Sequence, residues 1–264
     1  MYKNVESYKC DPPGTFREII PHPGGHARTI EKAIIMEHRF AFFFWMKWCN
    51  VLRKDGKLKQ RAPTLLTIDW HRDLAPPSEE LKIALEKLDQ SRLDEVANFV
   101  WAQFDQTNDG HILCAAWLNL IGDVILLKNS ADRMQSTFND MAGNKHTIFE
   151  FREYDRLEQF VTNRDDQNVF LDIDLDYFVH GKCTRDGHRS DNFQLYSDEE
   201  IGRIINPNNA VFQHLLPYID GITMAQEPGF CGGIINSCHL MEVVHSQLFN
   251  NDRNWKHHKE EKIK

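Results

Sequence analysis

No long apolar run, no cysteine framework and no basic excess mark this chain, and each absence removes a class of protein. Of the best apolar stretches, Phe40 to Trp45 is short and Ile112 to Leu127 carries Asn119 and Asp123, so no membrane span is expected. The six cysteines, Cys10, Cys49, Cys114, Cys183, Cys231 and Cys238, contain no CxxC pair. Their spacing fits reduced thiols in a cytoplasmic protein better than zinc ligands or disulfides. The net charge is -8, from 31 Lys and Arg against 39 Asp and Glu. Binding phosphates relies on clustered cations, so no nucleic-acid partner is expected, whereas a cationic substrate is favoured. Residues 2 to 6, Tyr-Lys-Asn-Val-Glu, show no apolar secretory core, and no repeat or low-complexity segment is present.

What is there suits one large α/β domain over residues 1–264, with 41% hydrophobic and 27% charged residues. Residues 1–25, rich in Pro and Gly, read as an irregular arm or edge, and 250–264, which includes His257 and His258, as a charged tail. Apolar runs at 32–36, 64–68, 124–127, 147–151, 169 onward and 221–226 predict strands. Helices are expected at 39–51, after an N-cap at Ser78, at 93–104, 112–120 and 156–161, after a capping box at Ser197 to Glu200, at 209–218, and from Asn236. This alternation implies βαβ units and a mostly parallel sheet. The polar stretch 180–194, with His180 and His188, is placed to rim a site as a loop.

The chemistry concentrates where strands end. Val169 to Phe178 is an apolar run that turns into alternating carboxylates, and a period-two strand would align Asp172, Asp174 and Asp176 on one face. Stacked like charges are costly unless a cation sits among them. The strand at 64–68 runs into Asp69, His71 and Asp73, an alternating triplet of oxygen and imidazole ligands suited to divalent metals. His38 follows the strand at 32–36, His111 heads a helix after the turn Asn108-Asp109-Gly110, and Glu227 precedes a Gly-rich loop. Such positions beyond the carboxyl ends of strands are where α/β sheets gather their ligands.

His38, the triplet in IDWHRD, the carboxylates in LDIDLDYF and Glu227 together resemble the ordered ligand set of the arginase and ureohydrolase superfamily. LDIDLDYF and the compact chain more closely resemble the peptide arginases, which convert arginine to ornithine within ribosomally made precursor peptides. The resemblance runs from about residue 32 to residue 245. It implies a three-layer arginase/deacetylase-like fold with a binuclear manganese site. Carried over, His38, Asp69, Asp73 and Asp172 would hold one Mn2+, and Asp69, His71, Asp172 and Asp174 the other, with Asp69 and Asp172 bridging. Glu227 would bind the guanidinium and His111 would shuttle a proton to the departing amine. Asp176 is expected to lie behind the ligands or cap a helix, and its replacing Asp172 or Asp174 among them is left open, because the serine and proline that follow the aspartates in many ureohydrolases are absent. The expected partner is an arginine-containing precursor peptide. Where arginases of the free amino acid grip its α-carboxylate and α-amine, this chain has Leu74-Ala75-Pro76-Pro77-Ser78, which favours an amidated backbone. The alternatives are a ureohydrolase acting on free arginine or agmatine, or a catalytically silent metal-stabilised binding module. A deacetylase-like amidohydrolase would bring a His-His pair, which the core of this sequence lacks.

Overall fold

The computed structural model describes residues 10–22, 28–58, 61–104, 108–129, 135–180 and 193–249. The aliphatic runs form strands buried along their whole length at β3 (Thr64–Asp69), β4 (Val124–Lys128) and β7 (Val169–Asp174), as expected of strands covered on both faces. Around them, in chain order, lie β1 (Phe16–Pro21), β2 (Thr29–Ile35), β5 (Gln135–Asn139), β6 (Lys145–Phe151), the short pair β8 (Val179–His180) and β9 (Gln194–Leu195), and β10 (Ile219–Ala225). The helices are α1 (Ala41–Lys54), α2 (Glu79–Lys87), α3 (Leu93–Ala102), α4 (His111–Trp117), α5 (Tyr154–Val161), α6 (Asp198–Ile204), α7 (Ala210–Leu215) and α8 (Ile234–Phe249).

Eight strands form one sheet in the order β1-β2-β10-β7-β3-β4-β6-β5. β2 to β6 in that order are parallel, and only the edge strands β1 and β5 run antiparallel to their neighbours. Side-chain alternation then sorts the core into two layers. Leu66, Ile68, Leu171, Ile173 and Met224 pack with Leu157, Ile201, Val211 and Leu240 of α5 to α8. Leu65, Phe170 and Ala225 face the other way, against Trp45, Leu85, Val100 and Ala115 of α1 to α4. The protein is therefore an α/β fold with helices on both faces of a mostly parallel sheet.

One glycine seats α1 on the sheet. A Cβ at Gly221 in β10 would stand 2.3 Å from the Trp48 ring, so only the bare backbone lets that indole lie on the strand. Ser78 and the capping box of Ser197 and Glu200 cap α2 and α6 as expected.

Four expectations need correction. The arm contains β1, which pairs with β2 from Phe16 to Pro21 although only Ile20 is buried in it. Its Pro21 ends an edge strand, where a missing N–H is tolerated. The polar stretch before β6 contains β5, whose alternating exposure leaves little apolar signal. The carboxylate strand ends at Asp174, and Asp176 lies in a 3-10 turn, Leu175–Phe178, so the strand's period does not reach it. The helix expected at 209–218 closes as α7 followed by a 3-10 turn at Leu216–Tyr218, with Pro217 inside that turn. His180 falls in β8, while His188 and the tail from 250 lie outside the described residues. No helix among the described residues is long and apolar enough to cross a membrane.

Candidate metal centre

Four adjacent strands, β2, β10, β7 and β3, bring the chemistry together. From β3 the chain continues outward to β4 and β6, whereas from β7 it moves the opposite way to β10. That reversal is a topological switch point, which opens a crevice beyond the carboxyl ends of the strands. His38 lies there in a 3-10 turn after β2, Asp69, His71 and Asp73 at the end of β3, Asp172 and Asp174 on β7, and Glu227 after β10.

Sheet register decides what each β7 carboxylate faces. Thr67 of β3 and Thr223 of β10 stand abreast of Asp172. The Thr67 hydroxyl donates to Asp172 Oδ2 at 2.8 Å, the Thr223 hydroxyl donates to Oδ1, and His38 Nε2 lies 2.7 Å from Oδ2. Burial works to raise the Asp172 carboxyl, but the charge and hydrogen bond of His38, with Thr223, outweigh it and hold the group below its ordinary value. Both oxygens of Asp172 are thus engaged one row inside the sheet.

The opposite edge of the His38 ring meets the cluster. His38 Nδ1 has no hydrogen-bond partner, yet it lies 2.9 Å from Asp73 Oδ2, 3.2 Å from Asp174 Oδ2 and 3.6 Å from Asp69 Oδ2. Asp69 Oδ2 is also buried without a partner. His71 Nδ1 lies 3.0 Å from Asp176 Oδ2 and 4.0 Å from Asp69 Oδ1. Asp174 Oδ1 accepts the Asp176 N–H at 3.0 Å, so Asp174, rather than Asp176, caps the 3-10 turn.

Four overlapping groups place ligand atoms within 4.8 Å of one another: His38-Asp73-His111, His38-Asp69-Asp174, Asp69-His71-Asp176 and Asp174-Asp176-Glu227. Asp172 belongs to none of them, and Asp176 belongs to two. Asp176 thus lies within the cluster, whereas Asp172 touches His38 Nε2, Thr67 and Thr223.

The cluster has the donors a divalent cation requires, and its electrostatics call for one. Burial first, and neighbouring carboxylates next, push Asp69, Asp174 and Glu227 upward, Asp174 to about 6. Asp73 is raised by burial despite His38. His38 is raised well above its ordinary value because Asp172, Asp174 and Asp73 outweigh its burial. Orphaned donor atoms, imidazole and carboxylate oxygen fit divalent first-row metals, so these buried His and Asp groups are able to bind metal ions.

A pH dependence follows for the metal-free protein. Groups whose folded pKa exceeds the unfolded value stabilise fully only below the unfolded value, and the contribution disappears as pH rises through the folded pKa. The raised carboxyls and His38 share this sign, so their contribution declines from about pH 4 upward, Asp174's through about 6, while His111 and His22, lowered to about 3 and about 4, have the opposite sign and offset it below the ordinary histidine value. Unfolding midpoints at about pH 5 and about pH 8, with chelator and with added manganese, check this. Manganese should stabilise the protein more at the higher pH, and a manganese effect independent of pH would contradict it.

Two further groups flank the cluster. His111, at the first position of α4, stacks on Trp45 with ring centroids 5.5 Å apart and meets His38 edge-on at 4.4 Å. Its Nδ1 lies 3.0 Å from the Asn108 carbonyl, which assigns the proton to that nitrogen and leaves the buried Nε2 as an unpartnered acceptor. Burial and then His38 push it down to about 3, so it is neutral at pH 7. Glu227 is 5% exposed, and its Oε1 accepts from the His38 backbone N–H at 2.9 Å and from the Asn108 side-chain amide.

Asp73, Asn108 and Glu227 have φ of 48°, 60° and 38°, three of the four positive-φ residues other than glycine among the described residues. Backbone strain of this kind is stored where the surroundings over-determine it, often at functional sites. Sequence reasoning missed Thr67, Thr223 and Asn108 as participants. The signals were a threonine in the interior of each of two apolar strands and an asparagine at a left-handed turn. No family model and no curated protein matches the chain, which leaves its chemistry to be argued from this geometry.

Proposed function

We propose that the chain is a binuclear manganese hydrolase that converts arginine residues of a ribosomally made precursor peptide to ornithine, releasing urea. The observation that carries this reading is Glu227, a buried carboxylate beside Asp174 and Asp176 and beyond the four that two divalent ions would neutralise. A surplus anionic acceptor at a cluster's edge suits a cationic substrate, and a guanidinium offers it several coplanar N–H donors. His38, Asp69, Asp73 and Asp174 would hold one ion, and Asp69, His71, Asp174 and Asp176 the other, with Asp172 orienting His38 through Nε2. Bound there, the ions would supply the charge that acidifies a water nucleophile.

The protein's own groups do the rest. Glu227 orients the guanidinium, which fixes its carbon for attack. His111, neutral and with Nε2 open, takes a proton from the nucleophilic water and returns it to the departing amine nitrogen as the C–N bond breaks. The products are the ornithine side chain and urea. The arginase-like reading of the three-layer sheet rests on the same ligand order.

A cleft of about 580 Å³ leads to His111 and Asn108, walled by Ala75, Pro76, Pro77 and Ser78. Its cation, Arg39, is already engaged with the Phe104 carbonyl at 2.8 Å and Glu37 at 2.5 Å, and Glu80 and Asp109 on the same lining would repel an α-carboxylate. This supports a substrate whose carboxylate is amidated. Mass spectrometry of an arginine-containing precursor-like peptide with manganese-loaded protein is expected to show loss of CH2N2 per arginine, with little urea from free arginine. Urea from the free amino acid alone would overturn the peptide assignment.

A further inference from the structure

We propose that Asn108 is a specificity-determining residue whose side-chain oxygen, beside Glu227, forms a paired acceptor edge that selects a planar guanidinium over a tetrahedral ammonium. This inference rests on the guanidino-hydrolase reading of the site and extends it to a residue outside the resemblance.

The observation is an unsatisfied acceptor. Asn108 is 7% exposed, and its Oδ1 is buried with no hydrogen-bond partner among the described residues. Buried amide oxygens nearly always find a donor, and leaving one unpaired costs about 1–3 kcal/mol. The other polar groups of Asn108 are committed. Its Nδ2 donates to Glu227 Oε1 and its carbonyl faces His111 Nδ1. With Glu227 ionised, as a bound cation would keep it, its Oε1 is acceptor-only and already takes the His38 backbone N–H, so it faces the NH2 end of the amide.

The loop is held in place independently of any ligand. The Ala75 N–H donates to the Asp109 carbonyl at 2.7 Å, tying the residues after Asn108 to the cleft wall. The left-handed φ of 60° suits asparagine better than most residues. Asn108 therefore stands between the cleft that it lines with His111 and the Glu227 carboxylate to which its amide donates. A guanidinium carries donors on three nitrogens in one plane, so it can address Glu227 and Asn108 Oδ1 together. An ammonium points its three donors along a cone and is strongly hydrated, and it satisfies such an edge less well.

Asn108→Gly is the informative variant, because glycine adopts the left-handed conformation freely and retains the carbonyl that holds His111. With manganese-loaded protein, the KM for an arginine peptide is expected to rise about tenfold to a hundredfold, with kcat changing less. Calorimetric binding of methylguanidinium and methylammonium supplies a readout that loop damage would not produce. The preference for the planar cation should collapse in Asn108→Gly and persist in Asn108→Asp, which keeps an oxygen there. Turnover by the unaltered protein with a preference indifferent to Asn108→Gly overturns the selectivity role and leaves the hydrolase reading standing. An Asn108-dependent preference without turnover of any arginine peptide does the reverse. Neither turnover nor preference overturns both.

Discussion

Asp176→Asn is expected to cost one of two bound metal ions and to lower arginine-peptide hydrolysis on the order of a thousandfold, whereas Asp172→Asn keeps both ions with weaker affinity. Asp176 Oδ2 faces His71 Nδ1 at 3.0 Å inside a ligand group, so neutralising it removes a charge that a cation would meet directly. Breaking a buried charge pairing of this kind costs about 3–5 kcal/mol, which is roughly two to four orders of magnitude in affinity. Asp172 instead touches His38 Nε2, Thr67 and Thr223. Losing a support behind a ligating histidine weakens metal binding by about tenfold to a hundredfold. Metal content by plasma emission spectrometry after dialysis separates the two, and circular dichroism establishes that each variant folds. Loss of both ions in Asp172→Asn, with Asp176→Asn unaffected, would restore Asp172 as the bridging ligand implied by the family resemblance.

Glu227→Gln is expected to lower kcat/KM for an arginine peptide by about a hundredfold to a thousandfold while metal content stays unchanged. The substitution preserves shape and the acceptor that His38 N–H and Asn108 use, but removes the charge opposite the guanidinium. Truncating one partner of a buried, hydrogen-bonded charge pair costs about 2–5 kcal/mol, and tenfold in rate corresponds to about 1.4 kcal/mol. Full turnover in Glu227→Gln would remove the residue from substrate binding and with it the main support for a guanidino substrate.

The parts of this protein legible in its sequence are those where one physical signal dominates. Continuous aliphatic runs specified β3, β4 and β7 because strands buried on both faces have no polar alternation to obscure. Ligand types at strand ends pointed to the crevice because His38, Asp69, His71, Asp73 and Asp174 each follow or finish such a run. β1 and β5 stayed hidden because an edge strand pairs on one side and need bury little. That Asp176 and not Asp172 enters these groups was hidden for a different reason. It depends on Thr67 and Thr223 arriving abreast of Asp172, a matter of register between strands far apart in the chain. It depends equally on the backbone leaving the strand at Leu175, where a period of two no longer applies. Asn108 was read as an ordinary turn residue, and its unsatisfied oxygen exists only once Glu227 has come within reach.

The position of β10 governs the order in which the molecule can be completed during synthesis. It is the last strand among the described residues, yet it lies inside the sheet, hydrogen-bonded to β2 on one side and β7 on the other. Until residues 219–225 leave the ribosome, the β1-β2 hairpin has no strand partner in the rest of the sheet, and His38 at its end lacks both Glu227 and a fixed distance to Asp172. Contacts of such long sequence separation form late and slowly. The His38 side of the cluster is thereby completed only at the closing step of folding, whereas Asp69, His71 and Asp176, carried by β3 and the turn after β7, do not wait for β10.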